Sequence, residues 1–117
     1  CRQNLLQCAR MSFEQITAVQ LQAMRQAQGR CVLVDVRTDA EVARGAIDGA
    51  LHIVLPMLPG RIDALPFDQP VVFYCQSGAR SAQACHWFAS VGGQHVYNLQ
   101  GGILAWLREG YPLGSNN

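Results

Sequence analysis

Cys75 closes an apolar run, Val71-Val72-Phe73-Tyr74, and is followed by Gln76-Ser77-Gly78-Ala79-Arg80 before the pattern turns helical at Ser81. A cysteine between a buried strand and a helix has a definite chemistry. The loop is too short to pair its own amides, so several N–H groups can converge on one point, and the helix start adds partial positive charge. The nearest anion for such a nest is the Cys75 thiolate. Its pKa is expected to fall from about 8.5 toward or below neutrality, which makes the nucleophilic form available at physiological pH. Arg80 adds a full positive charge at the mouth, suited to an oxyanion substrate. Gly78 permits a backbone turn that a Cβ would obstruct. A buried, inert cysteine ending a core strand is the simpler alternative, but it leaves the loop, Gly78, Arg80 and the helix start without a reason.

The elements that must position this loop belong to one domain, because 117 residues are too few for two. Half the residues are hydrophobic and 15% are charged, enough apolar surface for a single core. A net charge of +1 argues against nucleic-acid or membrane-surface binding through bulk charge. All nine cations are arginines, so Schiff-base and P-loop lysine chemistry are excluded. The five cysteines (Cys1, Cys8, Cys31, Cys75, Cys85) show no C-x-x-C pair and no zinc-finger spacing. A reducing, cytoplasmic setting without metal fits them better than a disulfide scaffold. No apolar run approaches the ~18 residues of a membrane span. Residues 1–10 read as a flexible or non-native extension, with the domain over 11–117.

Along the chain, Thr17 and Gln20 form a capping-box pattern that opens a helix to about Ala27, stopped at Gly29. Cys31–Val36 is a short continuous apolar run, the pattern of a strand buried on both faces. Thr38 and Glu41 repeat the capping-box spacing for a short helix ended by Gly45. Leu51–Val54 suits a strand, and a proline-punctuated stretch with Pro56, Pro59 and Pro66 leaves room for a short helix. After the Val71–Tyr74 strand, a helix is expected from Ser81 to about Val91, a strand over His95–Asn98 and a last helix over Ile103–Arg108. Strands alternating with helices predict an α/β fold with a parallel sheet covered on both faces. Sites in such sheets lie where strand ends meet helix starts, which is where Cys75 stands.

With these residues on the page, the chain resembles the single-domain rhodaneses. Cys75–Ser81 is similar to their loop C-R/Q-S/T-G-x-R-S. Leu33-Val34-Asp35-Val36-Arg37 followed by Glu41 is similar to the D-V-R-x-x-x-E segment, and Asn98–Trp106 to N-L-x-G-G-I-x-A-W. The resemblance runs from about Phe13 to Pro112. One departure is Gly45-Ala46-Ile47-Asp48-Gly49-Ala50, where the family's G-H-I-P-G-A has histidine and proline; Asp48-Gly49 is itself good turn chemistry. The resemblance implies a rhodanese-like sheet of about five strands and a thiosulfate sulfurtransferase without cofactor. Cys75 would take the outer sulfur of a small anionic donor as a persulfide and pass it to cyanide, a thiol or a protein acceptor. Gln76, Ser77, Gly78, Ala79 and Arg80 would cradle the sulfur and orient the donor, with Asp35 and Arg37 supporting the loop through hydrogen bonds.

Two other functions compete. Cysteine phosphatases and arsenate reductases use a similar strand–loop–helix, but with C-x5-R, whereas four residues separate Cys75 from Arg80. A regulatory rhodanese module or a dedicated sulfur carrier would keep the fold; regulatory modules typically lose the cysteine that this chain retains. Cys85 is expected to share a packed helix face with Ala82, Phe88 and Ala89, and Cys31 to pack at a strand start. His52, His86 and His95 fall in no motif. Phe13, Trp87, Trp106 and Tyr111 read as packing. The segment Pro56–Pro70 is expected to shape the entrance.

Overall fold

The computed structural model describes residues 13–27 and 31–114. The 1–10 extension and the Gly29 helix stop lie outside the described residues. Five parallel strands form one sheet: β1 (Glu14–Ile16), β2 (Val32–Asp35), β3 (Leu51–His52), β4 (Val71–Tyr74) and β5 (Val96–Leu99), in the order β1-β5-β4-β2-β3. Helices α1 (Ala18–Ala27), α2 (Asp39–Ala43) and α3 (Ala79–Ser90) lie between strands, and α4 (Gly102–Arg108) follows β5.

Alternation along each strand builds two cores. Val34, Val36, Phe73 and Cys75 point to one face and pack with Cys85 and Phe88 of α3. Leu33, Val72 and Tyr74 point to the other and pack with Leu21 of α1 and Ile103 and Trp106 of α4. All four β4 residues are buried because helices cover both faces, as the continuous apolar run requires.

Local signals set most boundaries. Both capping boxes form: Thr17 and Gln20 exchange side-chain-to-backbone bonds at 2.8 and 3.1 Å, and Thr38 and Glu41 do so at 3.0 and 3.3 Å. The proline stretch folds as two 3-10 helices, Leu55–Met57 and Pro59–Ala64, each with a proline near its start. Helix α3 begins two residues earlier than expected, so Arg80 lies inside its first turn. The strand expected over His95–Asn98 shifts by one residue. β1 has no counterpart among the expected segments. It is three residues long with two exposed, too short to show a period, and it exists by pairing with β5 at the sheet edge.

Candidate active site

The Cys75 side chain sits one residue beyond the end of β4 and is 1% exposed. Two N–H donors face its sulfur, Gly78 at 3.1 Å and Ser81 at 3.4 Å, and the Ser81 hydroxyl oxygen lies 3.5 Å away. The loop can wrap so tightly because Gly78 holds φ at +105°, a left-handed value that strains other residues. Burial pushes the Cys75 thiol up. The Ser81 hydroxyl and N–H, with the N–H groups of Gly78 and Ser77, outweigh that push and bring it below its ordinary value. This pocket stabilises a thiolate.

The loop is held from behind by the start of α4. Ile103 N–H donates to the Cys75 carbonyl at 2.9 Å and Leu104 N–H to that of Gln76 at 3.3 Å. In a planar trans peptide the C=O and N–H point in opposite directions. Drawing these carbonyls toward α4 therefore turns the following N–H groups away from it, toward the sulfur side. Gly102 makes the approach possible: a Cβ there would lie 2.4 Å from both carbonyl oxygens, and its φ is +62°. The Gly-Gly pair in the late signature serves the cysteine loop.

A polar strut from β5 fixes the far side. Asn98, 2% exposed, donates through Nδ2 to the Gly78 carbonyl at 3.2 Å and to Gln15 Oε1 at 3.0 Å. Since the Gly78 carbonyl can only accept, the amide orientation is settled, and Oδ1 accepts from the Ser81 hydroxyl at 2.5 Å. Ser81 thus stands between Asn98 and the sulfur.

The residues around the mouth do not all behave as expected. Arg80 is paired with Glu41 through two bonds of 2.8 Å, and each raises the other's charged population: the Arg80 guanidinium, helped by the Thr38 N–H, lowers Glu41 to about 2. Asp35 and Arg37 hydrogen-bond to each other, at 2.8 Å for the closest contact, and Arg37 Nη2 also reaches the Gly45 carbonyl at 2.7 Å. Among the described residues neither bonds to residues 75–80, which corrects the expectation of direct support. The reason is directional. The side chain after buried Val36 falls on the α4 face of the sheet, with Tyr74, while the Cys75 side chain falls on the α3 face.

Gln76, Ser77 and Ala79 are exposed, so their side chains frame the mouth while the backbone faces the sulfur. Cys85 is fully buried beside Ala84 and Phe88; Ala82 and Ala89 are half-buried at the edge of that face. Burial pushes the Cys85 thiol far up, and it donates to the Tyr97 carbonyl at 3.3 Å, so it is inert packing. Cys31 is half-buried and also raised, first by burial. Trp106 is buried, with its indole N–H on the Pro112 carbonyl at 2.9 Å, and Phe13 packs edge-on to His86.

Sequence reasoning missed four participants: Ser81, Glu41, Asn98 and Gly102. Glu41 was legible as a helix cap and as the acid of the D-V-R-x-x-x-E segment, with no role at the loop. Asn98 and Gly102 stood in the late N-L-x-G-G signature without a role assigned to either.

Strand, loop and helix together define a domain with a thiolate cradle at the carboxyl edge of a parallel sheet. Residues 17–109 match the rhodanese-like domain family, and the chain belongs to it. A protein of Allochromatium vinosum named sulfurtransferase is 49% identical over 82 residues, covering 70% of this chain and 77% of that one. The crystal structure of a rhodanese-related protein from Thermoplasma volcanium superposes with a TM-score of 0.79 at 28% identity, over 87% of this chain and 98% of that one. A structure from Rhodopseudomonas palustris, described as a protein of unknown function and possible tyrosine phosphatase, has a TM-score of 0.81 at 32% identity, over 91% and 88%.

Proposed function

We propose that this rhodanese-like domain is a sulfurtransferase that carries sulfur as a persulfide on Cys75. The carrying observation is the sulfur itself, 3.1 Å from the Gly78 N–H and 3.4 Å from the Ser81 N–H, in a loop that favours the thiolate. The thiolate attacks the outer sulfur of thiosulfate or a similar donor. The donor's S–S bond breaks, and sulfite leaves with the electron pair. The persulfide anion remains in the cradle of residues 76–80. Cyanide or a thiolate then attacks the outer sulfur, and Cys75 departs as thiolate, which closes a two-step covalent cycle. Arg80 keeps donors that Glu41 does not use, and these orient the donor anion. Among the described residues the thiols of Cys31, Cys75 and Cys85 are unpaired, which agrees with a reducing, cytoplasmic setting.

Phosphoryl transfer is the second reading, favoured by the likeness to the Rhodopseudomonas protein. Loop length weighs against it. Four residues between Cys75 and Arg80 suit a single sulfur atom better than a tetrahedral phosphate. The test is intact mass after incubation with thiosulfate. The expected product is one sulfur heavier, sensitive to cyanide and absent in Cys75→Ser. Hydrolysis of an aryl phosphate with no cyanide-labile sulfur would overturn the proposal.

A further inference from the structure

A cavity of about 150 Å³ opens beside α4, with Gln76, the residue after Cys75, in its wall. Arg37, Arg44, Gln76, Leu104, Leu107 and Leu113 form most of its wall. Cys75 packs with Phe73 and Cys85 on the α3 side, whereas Ile103 and Trp106 of α4 belong to the other core. The cavity adjoins the loop mouth at Gln76 and Glu41, and Cys75 is not part of its wall.

Arg37 carries the chemistry of this space. Its side chain is 5% exposed, with Nε and Nη2 engaged by Asp35 and by the Gly45 carbonyl. Nη1 has no acceptor among the described residues. No side-chain nitrogen or oxygen among them is both sealed from solvent and unpartnered, so Nη1 keeps access to solvent, and Arg37 lines the cavity. A buried guanidinium satisfied on one edge and open on the other is a ready donor for an oxyanion. Arg44, exposed and without an ion-pair partner among the described residues, adds a second cation. Glu41 is the one acid on the wall, and both its oxygens already accept from Arg80. Opposite the charges, Leu104 and Leu107 leave 43% and 45% of their surface uncovered, three residues apart on one helix face.

We propose that this cavity binds a small organic carboxylate, with the carboxylate on Arg37 Nη1 and Arg44 and the apolar body against Leu104 and Leu107. An inorganic oxyanion would leave the leucines wet, and a neutral apolar compound would leave the guanidinium unmatched. A space of about 150 Å³ is that of a cavity able to take a ligand the size of benzene, the scale of a short acyl chain. The bound ligand would touch the loop through Gln76, whose carbonyl accepts from Leu104 N–H.

The test is amide NMR titration of the whole chain with hexanoate, hexanol and sulfate in parallel. Hexanoate is expected to give saturable shifts at Gln76, Leu104 and Leu107, with hexanol and sulfate weaker by about tenfold or more. Leu107→Glu, at an exposed position, and Arg37→Lys, which keeps the charge facing Asp35 but lacks Nη1, should each weaken hexanoate by about tenfold. A thermal melt of each variant reports its fold. The proposal is overturned if hexanoate does not saturate, if hexanol or sulfate matches it, if only Gly78 and Ser81 shift, or if both variants bind unchanged. None of these readouts depends on persulfide formation, so this result and that of the sulfur-transfer test are separable.

Discussion

The guanidinium of Arg80 and the carboxylate of Glu41 meet through two N–H···O bonds of 2.8 Å, joining the first turn of α3 to α2 across 39 positions of chain. The same carboxylate accepts from the Thr38 N–H as the capping box of α2. One acid therefore ends a helix and anchors the cation at the loop mouth.

Loss of that acid should be visible in stability and in its pH dependence. Glu41 is lowered to about 2 in the folded chain from an ordinary 4.5. A lowered carboxyl stabilises the fold fully above 4.5, and the contribution is lost as pH falls through about 2. The Arg80 side chain is 36% exposed, so solvent screening reduces the effect to about 1 kcal/mol. Urea melts of Glu41→Gln should show that deficit at pH 7, shrinking as pH drops from 4.5 toward 2.

Ser81→Ala removes the hydroxyl 3.5 Å from the sulfur that helps to hold Cys75 low, and takes the donor from Asn98 Oδ1. The Cys75 thiol should rise, moving the midpoint of iodoacetamide alkylation to higher pH. Stability should fall by about 1–3 kcal/mol for the buried acceptor left unpaired. An unchanged alkylation profile would show that the backbone amides alone hold the thiolate.

Asn98→Asp tests the strut from its other side. A carboxylate in place of the amide cannot donate to the Gly78 carbonyl and puts negative charge behind Ser81. Both effects should push Cys75 up. Persulfide formation at pH 7 should slow in stopped-flow assays and recover at higher pH.

Gly102→Ala would drive a Cβ to 2.4 Å from the carbonyls of Cys75 and Gln76, at a φ of +62°. The variant should lose about 2–4 kcal/mol in urea melts. Thiosulfate turnover should drop as well, because the amides aimed at the sulfur must shift with the carbonyls.

Arg37→Ala would strand the buried Asp35 carboxylate, at a cost of about 3–5 kcal/mol. Replacing both residues with apolar side chains should recover much of it. The pair would then be shown to answer each other's charge, with little net stability of its own.

Much of the fold was legible because its signals are local. The four-residue apolar runs mark strands buried on both faces, and the Thr17 and Thr38 boxes mark helix starts within one turn. β1 was not, since its three residues become a strand only against β5. Cys75, Gly78 and Arg80 were legible as a group because they share one loop. Ser81 was adjacent and unassigned, as its hydroxyl gains meaning only where Asn98 orients it.

By itself the sequence determined the α/β alternation, the place of the cysteine loop and its length, since each depends on neighbours within a few residues. Only the tertiary structure decided which groups surround that loop. Asn98 from β5, Gly102 and Ile103 from α4, and Glu41 from α2 arrive through strand order and side-chain alternation. The same alternation turned Arg37 toward Tyr74 and onto the cavity beside α4. A one-residue step along a strand reverses the face a side chain takes, and only the packed sheet shows what waits there.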